Sequence, residues 1–227
     1  MKKTTFVALL LLTTQCFAET LKTSLADIES EWAAIYYTMP KSKQTTSYPQ
    51  LLSKTINLAT QFPNNSEPLF WEAVIKASYA DHQDAISALT SIHEARDLLI
   101  KALSINPETM NGAAYVTLGT LYYMVPKWPI AFGDNAKARE MLETALKINP
   151  EGIDSNYYYA DFLLSNNEIN EAEKYFKKAA TVPLNTKTSV ADLRLQEEAK
   201  IALAKTKKRK LANSGEFLSF FRSTTIR

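Results

Sequence analysis

The chain has a single cysteine, five glycines and two histidines in 227 residues, and beyond its first dozen residues it has no long apolar run. Each scarcity excludes something. Cys16 sits in what reads as a removable leader, so the mature chain carries no disulfide, no cysteine metal site and no cysteine nucleophile, a composition suited to an oxidising compartment. So few glycines speak against a turn-rich β architecture. His82 and His93 would lie about 16.5 Å apart on one straight helix at a rise of roughly 1.5 Å per residue, too far to share a metal. There is no His-Glu-x-x-His, no glycine-rich phosphate loop and no Gly-x-Ser-x-Gly elbow. The acidic pair Glu197-Glu198 reads as part of a solvated helix face and not as a catalytic dyad. The chain is therefore expected to be no enzyme, and to hold neither metal nor cofactor.

The leader is Met1-Lys2-Lys3 followed by the apolar run Phe6–Leu12, too short to span a bilayer comfortably. Cys16 and Ala18 are small residues at the places a signal peptidase needs, which predicts a signal peptide over 1–18, a mature chain from Glu19 and a periplasmic location. An uncut N-terminal anchor is the alternative. Lipidation of Cys16 is not expected, because Thr13-Thr14-Gln15 precede it. After the leader no segment approaches the roughly 20 apolar residues of a transmembrane helix. The full chain has 26 basic and 24 acidic residues; with Lys2 and Lys3 gone the count stands at 24 against 24, which disfavours nucleic acid as a partner. One local excess remains, Lys205, Lys207, Lys208, Arg209 and Lys210. It is either the solvated last turn of a C-terminal helix, where cations suit the dipole, or a docking patch for anionic lipid or protein.

What the sequence does have is a repeat. Ala95, Leu99, Ala102 and Pro107 are echoed by Ala138, Leu142, Ala145 and Pro150, and again by Ala172, Phe176, Ala179 and Pro183. Small and large apolar residues so spaced share one face of a helix that a proline ends. Ahead of the last copy, Asn156, Tyr159, Ala160 and Leu163 mark a partner helix for which Asp154 is the expected cap; Asn167 and Asn170 are the expected start of the second helix. Ahead of the middle copy stand Tyr115, Leu118, Gly119 and Tyr122 with the same internal spacing. Together these match the tetratricopeptide pattern, in which Ala160, Ala172 and Gly119 are the small residues that let two helices approach closely. Between Tyr122 and Ala138 seven residues have been inserted, centred on Val125–Gly133, whose two prolines and glycine forbid a continuous helix; Asp134 then restarts one.

The first repeat is less regular. Ser66 and Pro68 open a helix bearing Phe70, Val74 and Ala77, and the chain turns over 81–84. Upstream, Leu25, Ile28, Trp32, Ile35 and Tyr36 predict a helix to Met39-Pro40, and Leu51, Leu52, Ile56 and Ala59 its partner before Phe62-Pro63. After Pro183 a last helix with the stripe Ala191, Leu195, Ala199 and Ala202 is expected to shield the end of the array. The fold expected is thus all-α, a tetratricopeptide-like α-solenoid of antiparallel helix pairs. Its parts are a signal peptide over 1–18, a degenerate pair over 19–64, three repeats over 65–183, a capping helix over 184–210 and a tail over 211–227. The repeats are expected to form one domain with no linker.

The runs Gly112–Tyr123, Trp128–Asn135 and Ile148–Asp154 resemble secreted tetratricopeptide proteins of Gram-negative bacteria, and are similar to the T component of tripartite ATP-independent periplasmic transporters. That resemblance covers about residues 65 to 183. It implies a small oligomer that associates with a solute-binding subunit.

Arrays of this kind present surfaces to other molecules. The inner positions of the repeat helices, Thr120, Tyr123 and Met124 in one repeat and Asp154, Tyr157, Asp161 and Leu164 in the next, are expected to line a groove for an extended peptide, or else to be ordinary packing. In the insertion Trp128 and Phe132 either plug a gap between repeats or stand out as a partner hot spot. The tail residues Phe217, Leu218, Phe220 and Phe221 pose the same question. The function expected is a periplasmic scaffold for a protein or peptide partner, as a homo-oligomer if the transporter resemblance holds. The alternatives are a carrier delivering a small solute to a membrane permease, and a cell-envelope assembly factor.

Overall fold

A computed structural model of the chain describes residues 2–184 and 188–224, with side chains over 20–184 and 188–211. The fold is all-α and tetratricopeptide-like, built of antiparallel helix pairs; among the described residues the one strand-like feature is an isolated bridge between Lys127 and Gly133. The chain divides into two compact units, Met1–Thr109 and Met110–Arg227. The division falls inside the stretch read as one continuous array, at an irregular turn. Met110, Asn111 and Gly112 have φ of 51°, 53° and 91°, a run of left-handed backbone that no α-helix crosses.

The first unit contains α1 (Lys2–Thr38), α2 (Lys41–Gln61), α3 (Ser66–Ala80) and α4 (Ala85–Ile105). Pro40, which cannot continue a helix, separates α1 from α2 as expected. The face of α2 that turns inward differs from the reading above. Gln44, Tyr48, Leu51, Thr55 and Leu58 are buried, whereas Ile56 is 40% exposed. Two polar residues on the buried stripe disguised it, and both are satisfied: Gln44 Nε2 donates to the Ile35 and Met39 carbonyls at 2.9 and 2.8 Å, and the Thr55 hydroxyl to the Leu51 carbonyl at 2.9 Å. Helix α3 is the centre of the unit, with Leu69, Phe70, Trp71, Ala73 and Ile75 all buried. Asp84 caps α4, its carboxylate accepting from the Ile86 and Ser87 amides at 3.1 Å, so the turn over 81–84 is a helix start of the expected kind.

The second unit contains α5 (Ala113–Met124), α6 (Asn135–Ile148), α7 (Ile153–Ser165), α8 (Ile169–Thr181) and α9 (Val190–Thr224). Helices α5 and α6 pair, α7 and α8 pair, and α9 packs on α8 and α7. The nine apolar residues of the threefold motif, Ala95, Leu99 and Ala102 in the first unit and Ala138, Leu142, Ala145, Ala172, Phe176 and Ala179 here, are all 0% exposed. Gly119 is small for a physical reason: a Cβ there would stand 2.7 Å from Leu142 Cγ and 3.2 Å from the Ala138 carbonyl oxygen. Asp134 caps α6 as expected, accepting from the Ala136 and Lys137 amides at 2.9 and 3.1 Å.

Two helix starts differ from expectation. Gly152 precedes α7, and Asp154 lies within its first turn, where a carboxylate favours the positive end of the dipole. Asn167 does not open α8 but closes α7: at φ 64° it reverses the chain so that the Glu168 amide reaches the Leu163 carbonyl at 2.9 Å. On α9, Leu195 and Ala199 are buried as the stripe requires, joined by Gln196 and Thr206. The helix runs on to Thr224, so the cationic run 205–210 is not its last turn. The side chains of Cys16 and Ala18, and of Phe217, Leu218, Phe220 and Phe221, lie outside the described residues.

Candidate functional site

All nine residues singled out above for the groove and the insertion belong to the second unit, seven on helices α5 and α7 and two on the insertion that joins α5 to α6. Helices α5 and α7 run alongside each other, and α9 continues the row beyond α7. The side chains along this row are polar and aromatic, and they are largely engaged with one another.

On α5, the Thr120 hydroxyl turns back to the Val116 carbonyl at 2.8 Å. Tyr123 lies edge-on to the Phe162 ring, centroids 5.6 Å apart, and donates its hydroxyl to Asp161 Oδ2 at 2.6 Å. Burial, and then the adjoining Asp161 charge and hydrogen bond, hold the phenol proton far more tightly than usual. On α7, Asp154 accepts the Ser155 amide at 2.8 Å through Oδ1. The residue is partly exposed but its carboxyl is enclosed, and burial, aided by the Asp192 charge from α9, pushes it up to about 6. Tyr157 packs edge-on to Phe176 at 5.7 Å and faces Glu198 of α9, whose carboxyl burial holds above its usual range although the nearby phenol favours the charged form. Tyr123–Asp161 thus ties α5 to α7, and Tyr157 stands against Glu198 where α9 packs on α7. The row is a polar, acidic face in which the Tyr123 phenol already has a carboxylate acceptor.

Asp192 and Glu198 were missed from the sequence. Glu198 stands three residues after Leu195 and seven after Ala191, on the apolar side of α9, whereas Glu197 is exposed. Reading the two glutamates as one solvated pair hid that difference.

The insertion is a built loop. Its neck is closed by the Gly133 amide on the Pro126 carbonyl at 2.9 Å and the Asp134 amide on the Tyr122 carbonyl at 2.8 Å, and its tip by the Ile130 amide on the Lys127 carbonyl at 3.2 Å. A Cβ at Gly133 would fall 2.2 Å from the Val125 carbonyl oxygen, so no side chain fits there. The Trp128–Pro129 peptide is cis. The two aromatics part company. Phe132 packs edge-on to Tyr122 at 5.6 Å, and Ala131 is buried beneath the loop. Trp128 is 86% exposed, beside Ile130 at 64%, with Met124 at the end of α5 at 68%.

Behind the face, Arg139 of α6 bridges to Glu168, lies over the Phe162 ring at 5.1 Å and approaches the Tyr159 hydroxyl, which itself donates to Glu143 at 3.1 Å. Asn156, fully buried, donates to the Pro150 and Gly152 carbonyls at 2.9 and 2.8 Å and so fixes the turn before α7. Among the described residues no group of three or more His, Cys, Asp or Glu side chains is placed to hold a metal ion, and no helix is long and apolar enough to cross a membrane.

Residues 130–186 match the tetratricopeptide repeat family model. Among solved structures, a thermophilic tetratricopeptide protein of Thermus thermophilus is similar at 18% identity over 85% of this chain and 96% of its own, with a TM-score of 0.54, a likeness of fold. MamA matches at 17% identity over 79% of this chain and 99% of its own (TM-score 0.44), and yeast Tom70 at 21% over 73% of this chain and 34% of its own (TM-score 0.43). No curated protein sequence matches the chain.

Proposed function

We propose that this protein is a scaffold outside the cytoplasm whose second unit recognises a polypeptide partner, with the insertion loop as its anchor. Tetratricopeptide-like helical repeats are a class typical of protein–protein interaction, and the repeat match over 130–186 lies across this unit. The observation that carries the reading is the loop tip. A tryptophan that is 86% exposed, on a loop closed by its own backbone hydrogen bonds and flanked by exposed Ile130 and Met124, is the kind of preorganised aromatic that dominates interface energetics. Tyr123 and Asp161, paired across α5 and α7 near the root of the loop, are its candidate polar contacts. The location rests on the leader Met1-Lys2-Lys3 with Phe6–Leu12 and on the absence of cysteine after residue 16. Association with a solute-binding subunit of a transporter, in an oligomer, rests on the sequence resemblance of residues 65 to 183.

Native mass spectrometry of the protein isolated from its own cells tests this. The expected result is a complex with one defined polypeptide, abolished by Trp128→Ala and weakened by Tyr157→Ala or Asp161→Ala. A bound small molecule in place of a polypeptide, or a complex indifferent to all three changes, overturns it.

A further inference from the structure

The cationic run on α9 sits where a helix gains nothing from it. Lys205–Lys208, Lys205–Arg209 and Lys207–Lys210 are like-charged pairs three or four apart, which destabilise a helix. The helix continues to Thr224, so its dipole offers no compensation, which acts only within the last turn. The run is nevertheless held firmly. Thr206 in its midst is buried at 1% exposure, Ala202 and Leu203 pack on the core just before it, and Arg209 bonds Asn167 Oδ1 at 3.0 Å, which leaves Lys205, Lys207 and Lys208 exposed on α9.

Helix α8 adds to them. Lys210 Nζ bonds Glu173 Oε2 at 2.8 Å, and that carboxyl is held below its usual range by the bond and by the charges of Lys210, Lys207 and Lys177 together. Lys174, Lys177 and Lys178 are exposed on α8 along an open depression of about 420 Å3 that also includes Asn170, Glu173 and Thr181. From residue 199 to 211 there is no acidic residue at all, in a chain whose formal net charge is only +2.

We propose that the face formed by α8 and the 205–210 segment of α9 docks the protein on an anionic lipid surface, its exposed lysines meeting headgroup phosphates. The partner is a surface and not a single small anion, because the cations are spread along two helices around an open depression. It is lipid and not an acidic protein because the sequence next supplies Phe217, Leu218, Phe220 and Phe221, residue types that enter the interfacial region of a bilayer when a basic cluster lies beside them. This contact does not involve Trp128 and stands whether or not the partner-binding reading does.

Co-sedimentation of the protein with vesicles of phosphatidylcholine, with and without phosphatidylglycerol, reads it out. Binding is expected only with phosphatidylglycerol present and to weaken as salt rises. Lys177→Gln, Lys207→Gln and Lys208→Gln together should weaken it about a hundredfold, at roughly fivefold per cation. Lys22→Gln, Lys41→Gln and Lys43→Gln, an equal loss of charge in the first unit, should leave it unchanged, and circular dichroism should show both variants equally helical. Equal weakening by both variants, binding to pure phosphatidylcholine, competition by inorganic phosphate, or equally tight binding to duplex DNA each overturns the proposal.

Discussion

Gly119→Ala is the sharpest test of how the second unit is packed. The new methyl would stand 2.7 Å from Leu142 Cγ, 3.1 Å from Leu142 Cδ2 and 3.2 Å from the Ala138 carbonyl oxygen, each closer than van der Waals contact allows. Two terms oppose each other. Alanine in a helix interior gains about 1 kcal/mol over glycine, while overpacking a tight interface costs about 1–3 kcal/mol. The second wins because Leu142 is 0% exposed and the Ala138 oxygen belongs to the helix backbone, so neither yields without disturbing the α5–α6 contact. The net expectation is a loss of about 1 kcal/mol. Removing the obstacle changes the sign. In a Leu142→Ala background, itself costing about 2–5 kcal/mol, the added methyl meets mainly empty space and alanine should stabilise by up to about 1 kcal/mol, a coupling of about 1–3 kcal/mol between the two sites. Urea unfolding followed by circular dichroism, with hydrogen exchange of the α5 and α6 amides to locate the effect, measures all four corners of the cycle. Equal effects of Gly119→Ala in both backgrounds, or stabilisation in the parent chain, would refute the close α5–α6 contact.

Three further outcomes are expected. The Asp154 carboxyl rises from an ordinary 3.8 to about 6 on folding, so the folded state holds this proton more tightly than the unfolded one; its contribution, at most about 3 kcal/mol, is present below pH 3.8 and lost as pH climbs through 6. Thermal melts between pH 4 and 7 should therefore show stability falling with pH, and Asp154→Asn should flatten that slope; an unchanged slope would contradict the carboxyl's enclosure. Tyr123→Phe removes the 2.6 Å bond to Asp161 and should cost about 1.5–3 kcal/mol in urea unfolding, whereas a neutral result would mean the pair does not hold α5 to α7. Trp128→Ala should shift unfolding by no more than about 0.5 kcal/mol, because the ring is 86% exposed; a large loss would mean that the ring is packed.

The repeats were legible because their signal is a period that recurs. Ala138, Leu142 and Ala145 in one copy predict Ala172, Phe176 and Ala179 in the next, and helix-on-helix burial leaves few alternatives for such a stripe. Asp134 was legible as a cap because it is a short polar residue just ahead of helical spacing. The α2 face was not, since Gln44 and Thr55 are buried by finding backbone acceptors, which a hydrophobic pattern does not record. Nor was the left-handed turn after Thr109 legible, because it lies in the dihedrals of Met110 and Asn111, and only Gly112 hints at it. The seven groove candidates on α5 and α7 were chosen from the repeat register alone. Their partners could not be named so, because Tyr157 meets Glu198 and Asp154 feels Asp192 only through the way α9 lies along α7, a tertiary register that no single-helix period encodes. Trp128 and Phe132 looked alike in sequence, and it is the backbone closure at Gly133 that turns one inward and leaves the other in solvent.

The central claim is that the insertion loop of the second unit meets a polypeptide. A photo-crosslinking amino acid placed at Trp128 in living cells tests it most directly, with the same probe at Lys41, exposed in the first unit, as control. The account predicts one discrete protein adduct at position 128 and none at position 41. No adduct at 128, or the same diffuse adducts at both positions, would contradict it.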